Sequence, residues 1–121
     1  MESKELMERV VKTLDTHKAT DIKVLRVAEV TSLADYFVVA AGTSSTQVKS
    51  LIDYVDYELG EAGVKPLRTE GYGGSASWIL MDYGTVVVHV FQPQARQYYD
   101  LERLWQDGTP VDISAITESE E

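Results

Sequence analysis

The stretch MDYGTVVVHVF, Met81–Phe91, is the part of the sequence that most directly indicates the fold. Tyr83-Gly84 separates two apolar runs, and a glycine in that position is typical of a tight β-hairpin turn. The pattern predicts one strand over Ser77–Asp82 and a second over Thr85–Phe91. His89 stands among the valines of the second strand, so its role depends on the face to which it belongs.

Strand alternation divides this hairpin into two faces. A two-residue turn at Tyr83-Gly84 pairs Trp78 with His89 across the hairpin. One face is then aliphatic, with Ile79, Met81, Val86, Val88 and Val90. The other face is mixed, with Trp78, Leu80, Asp82, Val87, His89 and Phe91. Aromatic side chains with a few polar groups are typical of protein–protein hot spots. The alternative is that Trp78 and His89 pack beneath a helix, with the imidazole satisfied by one hydrogen bond.

The remainder of the chain predicts helices and strands that can pack on this hairpin. In chain order these are a helix over Ser3–Lys18, strands over Asp21–Ala28 and Asp35–Ala41, a helix after the Ser44–Gln47 capping box, a short strand over Pro66–Glu70, the hairpin, and a helix opening at Pro93. The first two strands have a short connection and should pair antiparallel. We therefore predict an α/β (α+β) domain over residues 1–106, with a mixed, mostly five-stranded sheet flanked by helices. Residues 107–121 are predicted to form an acidic, flexible tail.

Composition narrows the classes of partner. The chain has 121 residues, enough for one domain, and 44% of them are hydrophobic. Its net charge is −9, and no basic stripe suits DNA or RNA. The chain contains no cysteine and no apolar run of the roughly 18 residues that span a membrane. We expect a cytoplasmic protein, whose acidity serves either solubility or a basic protein partner.

Catalytic and metal-binding patterns are weak. A general base is usually oriented by a carboxylate, and Asp82 lies about two pairs from His89 along the predicted hairpin. The other histidine, His17, falls at a helix end. Two histidines without suitably spaced acids do not predict a metal site. We therefore expect neither an enzyme nor a bound metal or cofactor.

The segment Gly42-Thr43-Ser44 leaves one enzymatic alternative open. It follows an apolar strand and precedes a helix, a placement that can present backbone N–H groups to a phosphate. Nucleotidyltransferase folds use such a loop, together with two carboxylates spaced D-x-D on an adjacent strand. Here Asp53 and Asp56 are three apart and fall on a predicted helix. The fold of a nucleotide-binding enzyme is thus possible while its metal site is missing.

Three segments together resemble the ribosomal silencing factor family (RsfS, also called Iojap-like). They are DIKVLRV, SLADYFVVAAGTSSTQVKSL and EGYGGSASWILMDYGTVVVHVFQPQARQYYDLERLW, which run almost continuously from Asp21 to Trp105. The resemblance implies a non-catalytic, nucleotidyltransferase-like fold. It also implies binding to the large ribosomal subunit through large-subunit ribosomal protein fourteen, exclusion of the small subunit, repression of translation when nutrients run short, and homodimers away from the ribosome. A large-subunit assembly factor is an alternative.

The resemblance also suggests the residues that meet the partner. Trp78 occupies the position of the family tryptophan that is implicated in ribosomal contact, and Glu70 and Asp82 are acids of the same region. Leu80 and His89 join this partner-binding set because they share the mixed face of the hairpin. The chain departs from the family at Ser77 and Thr85, where acids are common, so the charge pairing around Trp78 stays open.

Overall fold

The fold is seen in a computed structural model that describes residues 1–93 and 108–117. Its elements are α1 (Ser3–Thr16), β1 (Thr20–Arg26), β2 (Tyr36–Ala41), α2 (Ser45–Glu61), β3 (Arg68–Glu70), β4 (Trp78–Asp82), β5 (Val86–Phe91) and β6 (Thr109–Pro110). The predicted elements in the described ranges are confirmed, with small shifts at their ends. The helix predicted from Pro93 onward falls mainly on residues 94–107, which lie outside the described residues.

The strands form one mixed sheet in the order β3-β4-β5-β2-β1-β6. The β2–β5 pair is parallel, and the other neighbours are antiparallel. The sheet has six strands rather than the predicted five because Thr109-Pro110 pairs with the end of β1. Val111 and Ile113 pack against the main core. Part of the segment predicted as a tail therefore lies on the sheet, while the division of the chain at residue 106 stays a prediction.

Both described helices cover the same face of the sheet. The apolar stripe of α1 buries Leu6, Met7, Val10, Val11 and Leu14, and that of α2 buries Val48, Leu51, Ile52, Val55 and Leu59. These side chains form one cluster with the aliphatic face of the hairpin, that is Ile79, Met81, Val86, Val88 and Val90. Alternation then directs the mixed face of the hairpin to the opposite side of the sheet.

The hairpin register differs from the predicted one by two residues. Trp78 pairs with Phe91 and Leu80 pairs with His89, so the predicted pairing of Trp78 with His89 is wrong. The turn residues are Gly84 and Thr85, because the Tyr83 N–H donates to the Val86 carbonyl oxygen at 2.9 Å. Gly84 has a φ of +89°, which glycine accepts without a steric penalty. Because the shift is even, each side chain keeps its predicted face.

Candidate docking surface

The sheet brings all five candidate contact residues onto one face. Glu70 pairs with Leu80, and Leu80 pairs with His89, which places these three in one row across β3, β4 and β5. Asp82 lies in the next row along β4, and Trp78 lies in the row on the other side. We call Glu70, Trp78, Leu80, Asp82 and His89 the tryptophan surface. It lies on the face of the sheet opposite α1 and α2.

The members of the tryptophan surface differ in accessibility. Glu70 is exposed, whereas Trp78, Leu80 and Asp82 are partly buried. Trp78 packs against the buried Val39 and Phe91. His89 is the least accessible member, with 5% of its surface exposed, and its role in partner contact stays a prediction.

His89 holds Trp78 in place. The indole Nε1–H donates a hydrogen bond to His89 Nδ1 at 3.2 Å, and the two rings are stacked with their centroids 5.8 Å apart. Phe37 meets the imidazole edge-on at a centroid distance of 5.3 Å. Because Nδ1 accepts, the neutral imidazole carries its proton on Nε2. The cross-strand contact that the sequence predicted is therefore present, although the two residues are diagonal rather than opposite neighbours.

The chemistry of His89 is that of a packed, neutral side chain. Burial lowers the pKa of His89 to about 4, because the charged form would lose its hydration. Its Nε2 atom has no hydrogen-bond partner among the residues that the structure describes. A general base works best with a pKa near the working pH and within reach of a reacting group. This geometry gives His89 a supporting role beneath Trp78.

Arg68 links the two acids of the tryptophan surface. Its guanidinium forms an ion pair with Glu70, and its Nε atom lies 3.3 Å from Asp82 Oδ2. Glu70 and Asp82 are therefore partly neutralised within the chain. Arg68 was not predicted from the sequence, since the β3–β4 register is needed to place it beside Asp82. Arg68 and Glu70 are two residues apart on a predicted strand, so alternation places both side chains on one face and could have indicated the Arg68–Glu70 ion pair.

A small open depression lies beside Trp78. It has a volume of about 170 Å³ and is lined by Glu70, Gly71, Trp78 and Leu80. Gly71 has a φ of +84°, and a Cβ atom there would collide with the Trp78 carbonyl oxygen. Only glycine therefore lets the chain after β3 pass this close to β4. The depression is smaller than the roughly 300–1,000 Å³ of typical small-molecule sites.

Three backbone N–H groups in and beside the loop considered for phosphate binding form hydrogen bonds within the protein. The Thr43 N–H and hydroxyl both donate to Gln47 Oε1, at 2.6 and 2.9 Å. The Gln47 N–H in turn donates to Ser44 Oγ at 3.1 Å, which confirms the predicted helix cap. The Gly42 N–H donates to the Phe91 carbonyl oxygen at 3.0 Å. The backbone N–H groups of Gly42, Thr43 and Gln47 are therefore engaged within the protein, and Ser44 caps the start of α2.

Residues 1–93 and 108–117, the part of the chain that the structure describes, hold neither a metal-binding group nor a membrane-spanning helix. Within these ranges, no group of three or more histidine, aspartate or glutamate side chains is arranged to hold a metal ion. No helix there is both long and apolar enough to cross a membrane. Asp53 and Asp56 lie on α2, as predicted, and not on a strand.

Known proteins resemble this chain in both sequence and fold. The family described as "Ribosomal silencing factor during starvation" matches residues 1–121. The chain is 42% identical over 110 residues to Ribosomal silencing factor RsfS of Chromobacterium violaceum, covering 91% of this chain and 89% of that protein. A crystal structure of a Chromobacterium violaceum protein matches with a TM-score of 0.83 and 38% identity, covering 100% of both chains.

A more distant relative carries a different description. The chain is 30% identical over 102 residues to a Mus musculus protein named Mitochondrial assembly of ribosomal large subunit protein 1, covering 82% of this chain and 44% of that protein. The bacterial matches extend over nearly the whole chain in both sequence and fold. The chain therefore belongs to the ribosomal silencing factor (RsfS) family.

Proposed function

We propose that this protein binds the large ribosomal subunit through large-subunit ribosomal protein fourteen, blocks association with the small subunit and so represses translation. The observation that carries the proposal is Trp78, a partly exposed indole held by His89 on the sheet face that α1 and α2 leave uncovered. Tryptophan is among the residues most enriched in binding hot spots. Family membership supplies the ribosomal context.

The proposed mechanism is steric and needs no bond chemistry. A domain docked through one face excludes any second partner whose position overlaps its bulk. The net charge of −9 favours a basic partner, since complementary charges speed and orient the encounter. We also propose that the protein is cytoplasmic and that it forms a homodimer away from the ribosome. Sedimentation velocity of the purified protein tests the oligomeric state.

Co-sedimentation with separated ribosomal subunits tests the proposal. We expect the protein to migrate with the large subunit and not with the small one. When the two subunits are mixed under associating conditions, we expect fewer joined particles as the protein is added. Migration with neither subunit, or unchanged joining despite binding, would contradict the mechanism.

A second candidate is a role in assembly of the large subunit. The name of the Mus musculus relative favours it, because that protein is described by ribosomal large subunit assembly. Deletion of the gene distinguishes the two roles. Accumulated precursor particles would support assembly, whereas mature free subunits that join too readily would support silencing.

The two acids of the tryptophan surface lead to a prediction for Arg68. Exposed ion pairs contribute at most about 1 kcal/mol to folding, so Arg68→Ala should leave the protein folded. The substitution frees Glu70 and Asp82 to attract a basic partner. We expect a faster association with the large subunit, by a factor of about two to five at low salt, with little change at high salt. Stopped-flow or biosensor kinetics measure both conditions.

The matched control for Arg68 is Arg9→Ala. Arg9 also forms an exposed ion pair, with Glu5 at 3.4 Å, but it lies on α1 on the opposite face of the sheet. The same change in net charge there should have a smaller effect on the association rate. Slower association of Arg68→Ala would show that Arg68 itself contacts the partner, and an equal gain in both variants would show that only net charge matters.

A further inference from the structure

A second aromatic surface lies on the helical side of the molecule, away from the tryptophan surface. Tyr54 and Tyr57 on α2 are 44% and 64% exposed, and Tyr72, in the loop between β3 and β4, is 41% exposed. Tyrosine is enriched in protein interfaces because it combines a large apolar ring with a hydroxyl group. We call these three residues the tyrosine surface.

Two rings of the tyrosine surface are already fixed within the chain. Tyr54 is stacked on the ring of His17, with centroids 3.5 Å apart and planes 5° from parallel. The Tyr72 hydroxyl donates to both carboxylate oxygens of Asp53, at 2.9 and 3.0 Å. Lys49 Nζ lies 5.7 Å from the Tyr72 ring centroid. Side chains that are ordered before binding lose less conformational entropy when a partner arrives.

Acidic side chains outnumber basic ones around the tyrosine surface and favour a positively charged partner. The basic side chains are Lys49 over Tyr72, and Arg9 and Lys12, which line a small depression with Glu58. Asp53, Asp56, Glu58 and Glu61 all lie in the second half of α2. The last of them sit at the helix C-terminus, where the helix dipole disfavours negative charge. Among the described residues, Asp56, Glu58 and Glu61 take part in no ion pair. This arrangement costs the isolated domain some stability, and a positively charged partner would relieve it.

The spacing of these residues suits one kind of cation. Tyr54 and Glu58 are four apart on α2, and so are Tyr57 and Glu61, so each ring has a carboxylate one turn away on the same face. A guanidinium can stack on a tyrosine ring while it pairs with a carboxylate, and a lysine ammonium lacks the planar stacking. We propose that the tyrosine surface docks an arginine-rich polypeptide segment. Nucleic acid is disfavoured by the acids, and a second copy of the chain would bring the same acids face to face.

Fluorescence anisotropy with a defined probe tests this docking. The probe is a fluorescein-labelled peptide of alternating arginine and serine, with an equally charged peptide of alternating lysine and serine as its comparison. We expect the arginine peptide to bind more tightly than the lysine peptide. Tyr57→Ser should weaken arginine-peptide binding by about tenfold or more, as expected for a central aromatic contact. Leu33→Ser, which changes an 84% exposed side chain in the β1–β2 connection, should leave binding unchanged.

A pair of charge variants separates docking from attraction by net charge. Glu58→Gln with Glu61→Gln removes two charges at the tyrosine surface, and Glu2→Gln with Glu29→Gln removes two exposed charges elsewhere. Only the first pair should weaken binding strongly. Equal effects of the two pairs, equal affinity for both peptides, or no binding to the wild-type protein would overturn the proposal. A change in the sedimentation coefficient of Tyr57→Ser would also overturn it, because the surface would then join copies of this chain.

Discussion

Trp78→Ala is expected to weaken binding to the large ribosomal subunit by about 30-fold or more, which corresponds to about 2 kcal/mol. The substitution removes the largest side chain of the tryptophan surface, which also forms one wall of the depression beside Gly71. The acids that remain, Glu70 and Asp82, are exposed or partly exposed and paired with Arg68. They can therefore replace little of the lost contact. Affinity is measured by titrating labelled protein with large subunits.

The same substitution also acts on the fold, so binding must be compared at a matched folded fraction. Trp78 packs on Val39 and Phe91, and its indole N–H is bonded to His89. Trp78→Phe keeps an aromatic ring and loses the N–H donor together with the five-membered ring of the indole, which makes it the aromatic control for Trp78→Ala. We expect Trp78→Phe to retain more affinity than Trp78→Ala. Unchanged affinity of folded Trp78→Ala would show that the docking site lies elsewhere.

The sequence predicted the two faces of the hairpin because face membership depends only on alternation. Ile79 and Met81 are buried under the helices, and Trp78 and Leu80 face the other side, as predicted. The pairing was wrong by two residues because the position of the turn depends on local contacts. Gly84 adopts positive φ, and its N–H donates to Asp82 Oδ1 at 2.7 Å, which favours a turn one residue later than predicted. An odd shift would have exchanged the faces.

Contacts that depend on tertiary placement were not predicted. The strand Thr109-Pro110 is too short to show alternation, and it forms because β1 offers a free edge. The pairing of Arg68 with Asp82 spans two strands whose register no local pattern reveals. Likewise, the capping pattern predicted that Ser44 begins α2, but not that Gln47 would take the donors of Thr43. The sequence could thus suggest a phosphate loop at a place where the fold engages the N–H groups of Gly42, Thr43 and Gln47 internally.

His89 makes the stability of the protein depend on pH. Burial lowers the pKa of this imidazole from 6.5 to about 4 in the folded state. Between these two pH values the unfolded chain binds a proton that the folded protein excludes, so the free energy of unfolding falls as the pH falls. The contribution is complete above pH 6.5, decreases through this window and is lost near pH 4. We expect its size to be about 3 kcal/mol.

Denaturant unfolding of wild type and His89→Gln across this pH range measures the effect. Carboxylates titrate in both proteins, so the contribution of His89 is the difference between the two curves of unfolding free energy against pH. Glutamine is chosen because its side-chain oxygen can still accept the indole N–H of Trp78. His17→Gln is the matched control, because His17 caps the C-terminal end of α1 at the surface and should leave the acid-dependent loss in place. Parallel curves for wild type and His89→Gln would mean that the imidazole is protonated without opening the fold. A difference that grows below pH 6.5 would show that protonation of His89, the residue that accepts the Trp78 N–H, destabilises the fold.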